Sequence, residues 1–443
     1  MGRARARCYG WPVPTQALSR QRNDPAFASL WDELRWRGLI HVSTDPDAIG
    51  AALAGSRVTA YCGFDPTAPS LHLGHLTQLL VLRRLQLAGH RPLGLVGGST
   101  GLIGDPRPSA ERTLNSRATV AEWVELLRAQ VERYLDFEGP AAASIVNNLD
   151  WTEGLSAIDF LRDIGKHYRV GTMLKKDAVA ARLNSDAGIS YTEFSYQILQ
   201  GFDFLELYRQ YGCTLQTGGS DQWGNLTSGI DLIHRAEGVA VHAIGTPLIT
   251  SSDGRKFSKS EGTAVWLDPA LTTPYAFFQF WLNTADADVV GRLKVFTFLT
   301  RDEIGELERA LAERPGAREA QRRLAWEVTA TVHGDEAADA ARDASAALFG
   351  TGDLGRIDES TLAAALAELP TTAGGPEDPV VALLVDTGLT ASSGEARRAI
   401  AQGGVYVNNE RITDQDALVG PLLHGRFAVL RRGKRTLGAV VAG

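Results

Sequence analysis

The sequence predicts an α/β protein: a doubly wound parallel-sheet domain, then an α-helical domain, then a small α+β module. Three observations carry this. Short apolar strands alternate with helical stretches through the first half of the chain, and residues 274–350 place Ala, Glu and Arg at helical spacing with few strand signals. Residues 370–379 (PTTAGGPEDP) lack any periodicity, and a short basic segment with helix and hairpin signals follows them.

In chain order, Phe27 to about Leu39 reads as an amphipathic helix, and residues 57–62 (RVTAYC) as a strand ending in the turn Gly63-Phe64-Asp65-Pro66. Residues 74–88 repeat apolar side chains at helical spacing, and the apolar run 91–96 fits a buried strand. Together they make a strand, helix, strand unit of a parallel sheet. Helices are expected around 116–135 and 192–211, and strands near 144–147, 213–217 and 244–249. Residues 392–402 read as a helix closed by Gly403-Gly404, with a hairpin of 405–408 and 411–413 around Asn409-Glu410. The expected domains are a disordered extension at 1–26, a catalytic domain at 27–263 and a helical domain at 264–369. A linker at 370–379 and a terminal module at 380–443 complete them.

A chain of 443 residues suits two or three domains. Its net charge of −7, from 45 basic and 52 acidic residues, argues against a surface that coats nucleic acid throughout. The charge is uneven: residues 394–443 hold eight basic residues against four acids, +4 on a body of −11. Such a terminus suits RNA or another polyanion, or is a solvated charged tail. Cys8, Cys62 and Cys213 are odd in number and far apart, which fits a reducing cytosol better than a disulfide framework. No apolar run approaches the roughly 20 residues of a bilayer span, so a soluble, cytoplasmic protein is expected. Five arginines and no acid in the first 22 residues give a transit-peptide flavour, but one Ser and no amphipathic face favour a disordered extension or a misassigned start.

Four stretches carry chemistry. Tyr61 to His75 (YCGFDPTAPSLHLGH) joins a strand end to a helix start, where backbone N–H groups and the helix dipole favour anions. Gly74 would let a flat base approach the backbone. Taken bare, H-x-x-H fits a metal pair or two surface histidines equally well, and no Cys or carboxylate cluster nearby completes a zinc site. Residues 250–262 (TSSDGRKFSKSEG) form a polar loop with Lys256 and Lys259 three apart, two of only seven lysines in the chain. Lysines so placed can close over polyphosphate as movable charges, or simply face water. The run 96–105 (VGGSTGLIGD) fits neither the dinucleotide fingerprint nor the phosphate loop ending in Gly-Lys-Ser/Thr. Residues 218–225 (GGSDQWGN) make another strand-to-helix step, at which Asp221 could accept ribose hydroxyls or merely cap a helix.

The H-L-G-H and K-F-S-K-S segments, in that order about 180 residues apart, are similar to the two signatures of class I aminoacyl-tRNA synthetases. YCGFDPTA, LVGGSTGLIGDP, ERTLN, FLRDIGKHY, TEFSYQILQ and GGSDQWGN together resemble the bacterial tyrosyl-tRNA synthetases, over roughly residues 30–435. The resemblance implies a Rossmann-like catalytic domain that activates L-tyrosine with ATP and Mg²⁺ to tyrosyl-adenylate and pyrophosphate, then loads the 3′ end of tRNA(Tyr). It implies a homodimer and no tightly bound cofactor. By the same resemblance Thr67 and His72 stabilise the β and γ phosphates, and His75 and Cys62 contact the ribose. Gly219 and Asp221 hold the ribose hydroxyls, Asp65 sits at the adenylate with Gly63 and Gly74, and Lys256 and Lys259 close over pyrophosphate. Tyr196, Gln200 and Asp105 would take the substrate ammonium, Gln222 its carboxylate end, and Tyr61 with Asp203 the phenolic hydroxyl. The terminal module is similar to the S-four-type RNA-binding fold, with Arg397, Arg398, Arg431 and Arg432 as its tRNA contacts.

The sequence departs from the family where lysines often lie between Gly-Asp-Pro and Glu-Arg-Thr. Here Arg107-Pro108-Ser109-Ala110 stands instead, leaving Arg107 and Arg112 as basic candidates, of which Arg112 is preferred. A contact from Gln78 to the adenylate stays open. The tryptophanyl enzymes would not be expected to carry the terminal module or the Tyr61 and Asp203 pair. An RNA-binding protein that has lost catalysis would not be expected to keep both signatures intact.

Overall fold

The computed structural model describes residues 15–106, 113–184, 188–249, 264–350, 352–433 and 436–443. The chain divides into two compact units, residues 1–268 with 285–320, and residues 269–284 with 321–443.

The first unit is built on a six-stranded sheet in the order β1-β6-β5-β2-β3-β4. Its strands are β1 (Val42–Ser43), β2 (Thr59–Phe64), β3 (Arg91–Val96), β4 (Ser144–Asn147), β5 (Cys213–Gly219) and β6 (His242–Thr246). All pairs are parallel except β1 with β6. Leu93 and Leu95 of β3 and Ala60, Tyr61 and Cys62 of β2 are all buried, as a sheet covered on both faces requires. From β2 the chain steps to β3 and β4 on one side, then crosses to β5 and β6 on the other. The order reverses between β2 and β5, and in such sheets a crevice opens there at the carboxyl ends of the strands.

Helix Leu73–Leu87 follows β2 and buries Leu76, Leu79, Leu80 and Leu82. Its last turns bury Arg83 and Arg84 as well, and those guanidiniums organise the surrounding chain. Arg83 donates to the Leu18 carbonyl at 3.0 Å and to Gln21 Oε1 at 3.1 Å, while Asn23 donates to the Arg84 carbonyl at 2.9 Å. Residues 18–26 are thus held against this helix. The disorder expected for 1–26 does not apply to them; residues 1–14 lie outside the described residues.

Arg84 and Arg37 share the fully buried Glu33 carboxylate, at 2.9 and 2.7 Å. Arg37 also donates to the carbonyls of Lys294, Thr297 and Leu299, and Arg84 to that of Thr297. Unpaired, these buried charges would be prohibitively costly. The requirement draws helices Asp286–Phe296 and Arg301–Glu313 into the first unit, so the helical stretch expected as one domain is divided.

In the second unit a five-stranded sheet runs in the order β7-β11-β10-β8-β9, with β7 (Thr371–Ala373), β8 (Val405–Val407), β9 (Glu410–Ile412), β10 (Phe427–Arg432) and β11 (Thr436–Val441). Alternate residues of β10 face opposite ways. Phe427 and Val429 pack with Tyr275, Leu348 and Leu362, whereas Ala428 and Leu430 pack with Val380, Leu384 and Ile400. The helices before residue 369 and the terminal module therefore share one sheet. Residues 370–379, expected as a linker, supply β7, which pairs in parallel with β11. The hairpin turns at Asn408 and Asn409, both at positive φ (49° and 68°), one residue earlier than expected. That backbone suits a two-residue type I′ turn, which Asn tolerates.

Candidate active site

The expected site residues of the first unit that the structure describes gather where the sheet order reverses. β2 ends at Gly63 and Phe64, β5 ends at Gly219, and helix Leu73–Leu87 begins at His72. His72 and His75 cap that helix together. His72 Nδ1 accepts from the Gly74 amide at 3.1 Å, and His75 Nδ1 accepts from the His72 amide at 3.2 Å. The rings stack with centroids 3.9 Å apart. Each Nδ1 therefore carries a lone pair, and a neutral ring so held bears its proton on Nε2. Two histidines thus form a capping box, an arrangement usually made by Ser or Thr with Glu. Thr67 is half-buried and donates its amide to the Asp65 carbonyl at 2.8 Å. Residues 71–73 run beside 265–267, joined by Leu73 to Val265 at 3.3 Å and Leu267 to Leu71 at 2.9 Å.

Behind the histidines runs a chain of polar side chains. Asp65 accepts from Tyr196 Oη at 2.6 Å and from Thr100 Oγ1 at 2.7 Å. Asn148 donates to Thr100 Oγ1 and to Asp203 Oδ2, both at 2.9 Å, and Trp151 Nε1 donates to Asp203 Oδ1 at 2.9 Å. A side chain at Gly97 would put its Cβ 2.1 Å from Asp65 Oδ1, so the glycine-rich run exists to let the Asp65 carboxylate lie against backbone. Tyr196, Gln200 and Asp203 sit at i, i+4 and i+7 of helix Tyr191–Tyr211 and share one face.

Asp203 is 2% exposed. Burial pushes its carboxyl up to about 7 even though Asn148 and Trp151 stabilise the ionised form. Tyr61 is 1% exposed and its hydroxyl has no hydrogen-bond partner among the described residues. Its pKa is raised, first by burial and then by the nearby Asp203 charge.

Asp105 accepts from Gln222 Nε2 and Asn225 Nδ2, both at 3.0 Å, and Asn225 also donates to Gln222 Oε1 at 2.9 Å. Asp221 is exposed just beyond β5. Cys62 is buried, its thiol pushed up to about 12 by burial and set 3.9 Å from Gln78 Oε1; Gln78 in turn donates to Thr246 at 2.7 Å. Arg107, Arg112, Lys256 and Lys259 lie outside the described residues.

Thr100, Asn148, Trp151 and Asn225 were not singled out from the sequence. The available signal was position: Asn148 follows β4 directly, at the carboxyl edge of a parallel sheet, where functional polar residues collect.

Residues 53–350 match the family model for class I tRNA synthetases (W and Y), and residues 361–439 match that for the SYY-like C-terminal domain of tyrosine–tRNA ligases. The chain belongs to the class I tRNA synthetases. It is similar to the tyrosine–tRNA ligase of Leifsonia xyli, 70% identical over 427 residues that cover 96% of this chain and 97% of that one. To the tyrosine–tRNA ligase of Streptomyces avermitilis it is 65% identical over 94% of this chain and 99% of the relative. Among solved structures it resembles a C-terminally truncated mitochondrial tyrosyl-tRNA synthetase of Coccidioides posadasii, with a TM-score of 0.64, 32% identity and 72% of this chain covered against 92% of that one. The fold of this synthetase is therefore the class I α/β fold, and the chain is an enzyme of that class.

In its second unit the four arginines expected to bind RNA differ. Arg397 and Arg398 are exposed on helix Ser393–Ala401, with Arg397 3.2 Å from Asp416. Arg431 stacks over Tyr406, its guanidinium carbon 3.8 Å from the ring centroid. Arg432 is tied to Glu395 and the Leu389 carbonyl, both at 2.7 Å, which engages it within the fold. Among the described residues no helix is long and apolar enough to cross a membrane.

Proposed function

We propose that this synthetase activates L-tyrosine with ATP, delivered as its Mg²⁺ complex, and esterifies the tyrosyl group to the 3′ end of tRNA(Tyr). The observation that carries the choice of amino acid is the buried Tyr61 hydroxyl, which lies beside Asp203 and has no hydrogen-bond partner among the described residues. A phenol can donate to the Asp203 carboxylate and accept from Tyr61. Phenylalanine would give the Tyr61 hydroxyl no acceptor and the Asp203 carboxylate no further donor, and an indole N–H offers no acceptor to Tyr61.

At the other end of the substrate, Tyr196 spends its proton on Asp65, so its oxygen lone pairs, with Asp105 and Gln200, suit the ammonium. Gln222 stands by the carboxylate end. That carboxylate attacks the α-phosphorus, the bond to the β-phosphate oxygen breaks, and the electron pair leaves on pyrophosphate. No protein nucleophile is needed, so catalysis rests on positioning and charge. The Nε2–H groups of His72 and His75 point the right polarity at phosphate and ribose oxygens, alongside Thr67. Asp65, Cys62, Gly63, Gly74, Gly219 and Asp221 frame the adenylate. Lys256, Lys259 and Arg112 complete the pyrophosphate side, and residues 265–267, which follow the lysine segment, run beside His72.

The terminal module with Arg397 and Arg398 takes the tRNA. A homodimer is supported by exposed apolar side chains concentrated in one stretch: Ile158 (69% exposed), Leu161, Val170, Leu174, Leu183 and Tyr191 (67%). Exchange of labelled pyrophosphate into ATP, run with tyrosine, tryptophan and phenylalanine, tests the reading. Exchange is expected with tyrosine, and its absence would overturn the proposal.

A further inference from the structure

Helix Trp223–Glu237 begins with a cation where helix electrostatics disfavours one. Lys176 Nζ donates to the carbonyl oxygen of Gly224 in the first turn, at the positive end of the helix dipole. The lysine stem lies so close over Gly224 that a methyl group there would sit 3.3 Å from Lys176 Cδ. Burial lowers the ammonium to about 8, against the attraction of Asp231 and Asp105. Local rules broken in this way are expected at functional or strained sites.

Gly224 stands between Gln222 and Asn225, the two residues whose side chains both donate to Asp105. Lys176 thus touches the backbone that carries the donors and attracts the carboxylate that accepts from them. We propose that Lys176 is a positioning residue for the amino-acid site, holding the Gln222, Asp105 and Asn225 cluster in the geometry that receives the tyrosine ammonium. The inference rests on the reading of Asp105 as a partner of that ammonium. The groups facing Lys176 are Asp105 and Asp231, with His167, Arg169 and Arg235 lining the same cavity of about 30 Å³.

The test measures KM for tyrosine, KM for ATP and kcat by pyrophosphate exchange for the full-length enzyme, Lys176→Met, Gly224→Ala and Asp105→Asn. Lys176→Met is expected to raise KM for tyrosine about tenfold, with KM for ATP and kcat within threefold. Any rise in tyrosine KM that the parent enzyme shows between pH 7 and 9, as Lys176 loses its proton, should be smaller in Lys176→Met. Gly224→Ala, which displaces the stem while favouring the helix, should raise tyrosine KM severalfold and carries the test if the lysine variant fails to fold. Unchanged tyrosine KM, or an equal rise for ATP, would overturn the proposal. If Asp105→Asn leaves tyrosine KM unchanged, the reading of the amino-acid site fails instead.

Discussion

On the proposed reading of the amino-acid site, Asp203 sets both selectivity and pH response. Two donors favour its charged form, yet burial wins and places its titration near 7. Below that value the carboxyl is protonated and competes with the phenol for the role of donor; above it, the carboxylate accepts. Tyrosine affinity should therefore fall as pH drops through 7, while phenylalanine affinity stays flat, as equilibrium binding from pH 6 to 8 would read. The sign for folding is opposite. A carboxyl raised above its unfolded value of 3.8 destabilises the fold progressively as pH rises from about 4 to 7, after which the penalty is constant. Asp203→Ala should weaken tyrosine by about 100-fold or more, on the scale of losing a buried charged hydrogen bond, and phenylalanine far less. Equal losses would remove Asp203 from discrimination. Tyr61 and Asp203 were expected from the surrounding motifs, and the structure shows both buried. Asn148 and Trp151 were not, because they reach Asp203 from 55 and 52 positions away, and only the sheet topology brings them there.

Among the elements, the proposed roles of His72 and His75 would make the cap of helix Leu73–Leu87 couple stability to chemistry. His75→Ala removes the acceptor for the His72 amide and should cost about 1 kcal/mol, as loss of a helix cap does. The same variant should slow adenylate formation, so a lowered Tm and a reduced exchange rate are expected together; an unchanged rate would make the cap purely structural. Gly97→Ala should be more severe for activity. Its methyl would displace Asp65 and break the Tyr196 and Thr100 contacts, seen as lost exchange with tyrosine in protein whose circular dichroism is retained. Long periodic elements such as residues 74–88 and 91–96 were readable because one or two faces must be apolar. The three-residue strand at Thr371–Ala373 was not, since its PTTA sequence carries no pattern and its pairing with β11 is set by partners some 68 residues on. The hairpin turn was misplaced by one residue because Asn408 and Asn409 both adopt positive φ, a conformation that the neighbouring Asn409-Glu410 pair suits less well.

For the whole molecule, the acidic body and basic terminus map onto parts that are not simply serial. Deleting residues 380–443 to test tRNA binding would strip Phe427, Val429 and Leu437 from the core shared with Tyr275, Leu348 and Leu362. Loss of solubility or a lowered Tm is therefore expected from the truncation, as is impaired charging. The cleaner experiment is Arg397→Ala with Arg398→Ala. Charging of tRNA should fall and its salt dependence should flatten, while tyrosine-dependent exchange, which needs no tRNA, holds; unaltered charging would leave the basic terminus without its role. The Glu33, Arg37 and Arg84 cluster has a consequence for the order of synthesis. Arg37 finds its carbonyl acceptors 257 to 262 positions downstream, after the chain has already detoured through residues 269–284 of the other unit. A nascent chain holding residues 1–268 has the Glu33 carboxylate that pairs its buried guanidiniums but still lacks the backbone carbonyls that accept their remaining hydrogen bonds. The catalytic half therefore completes its core on the ribosome late, once most of the chain has emerged, and until then it depends on staying soluble while unfinished.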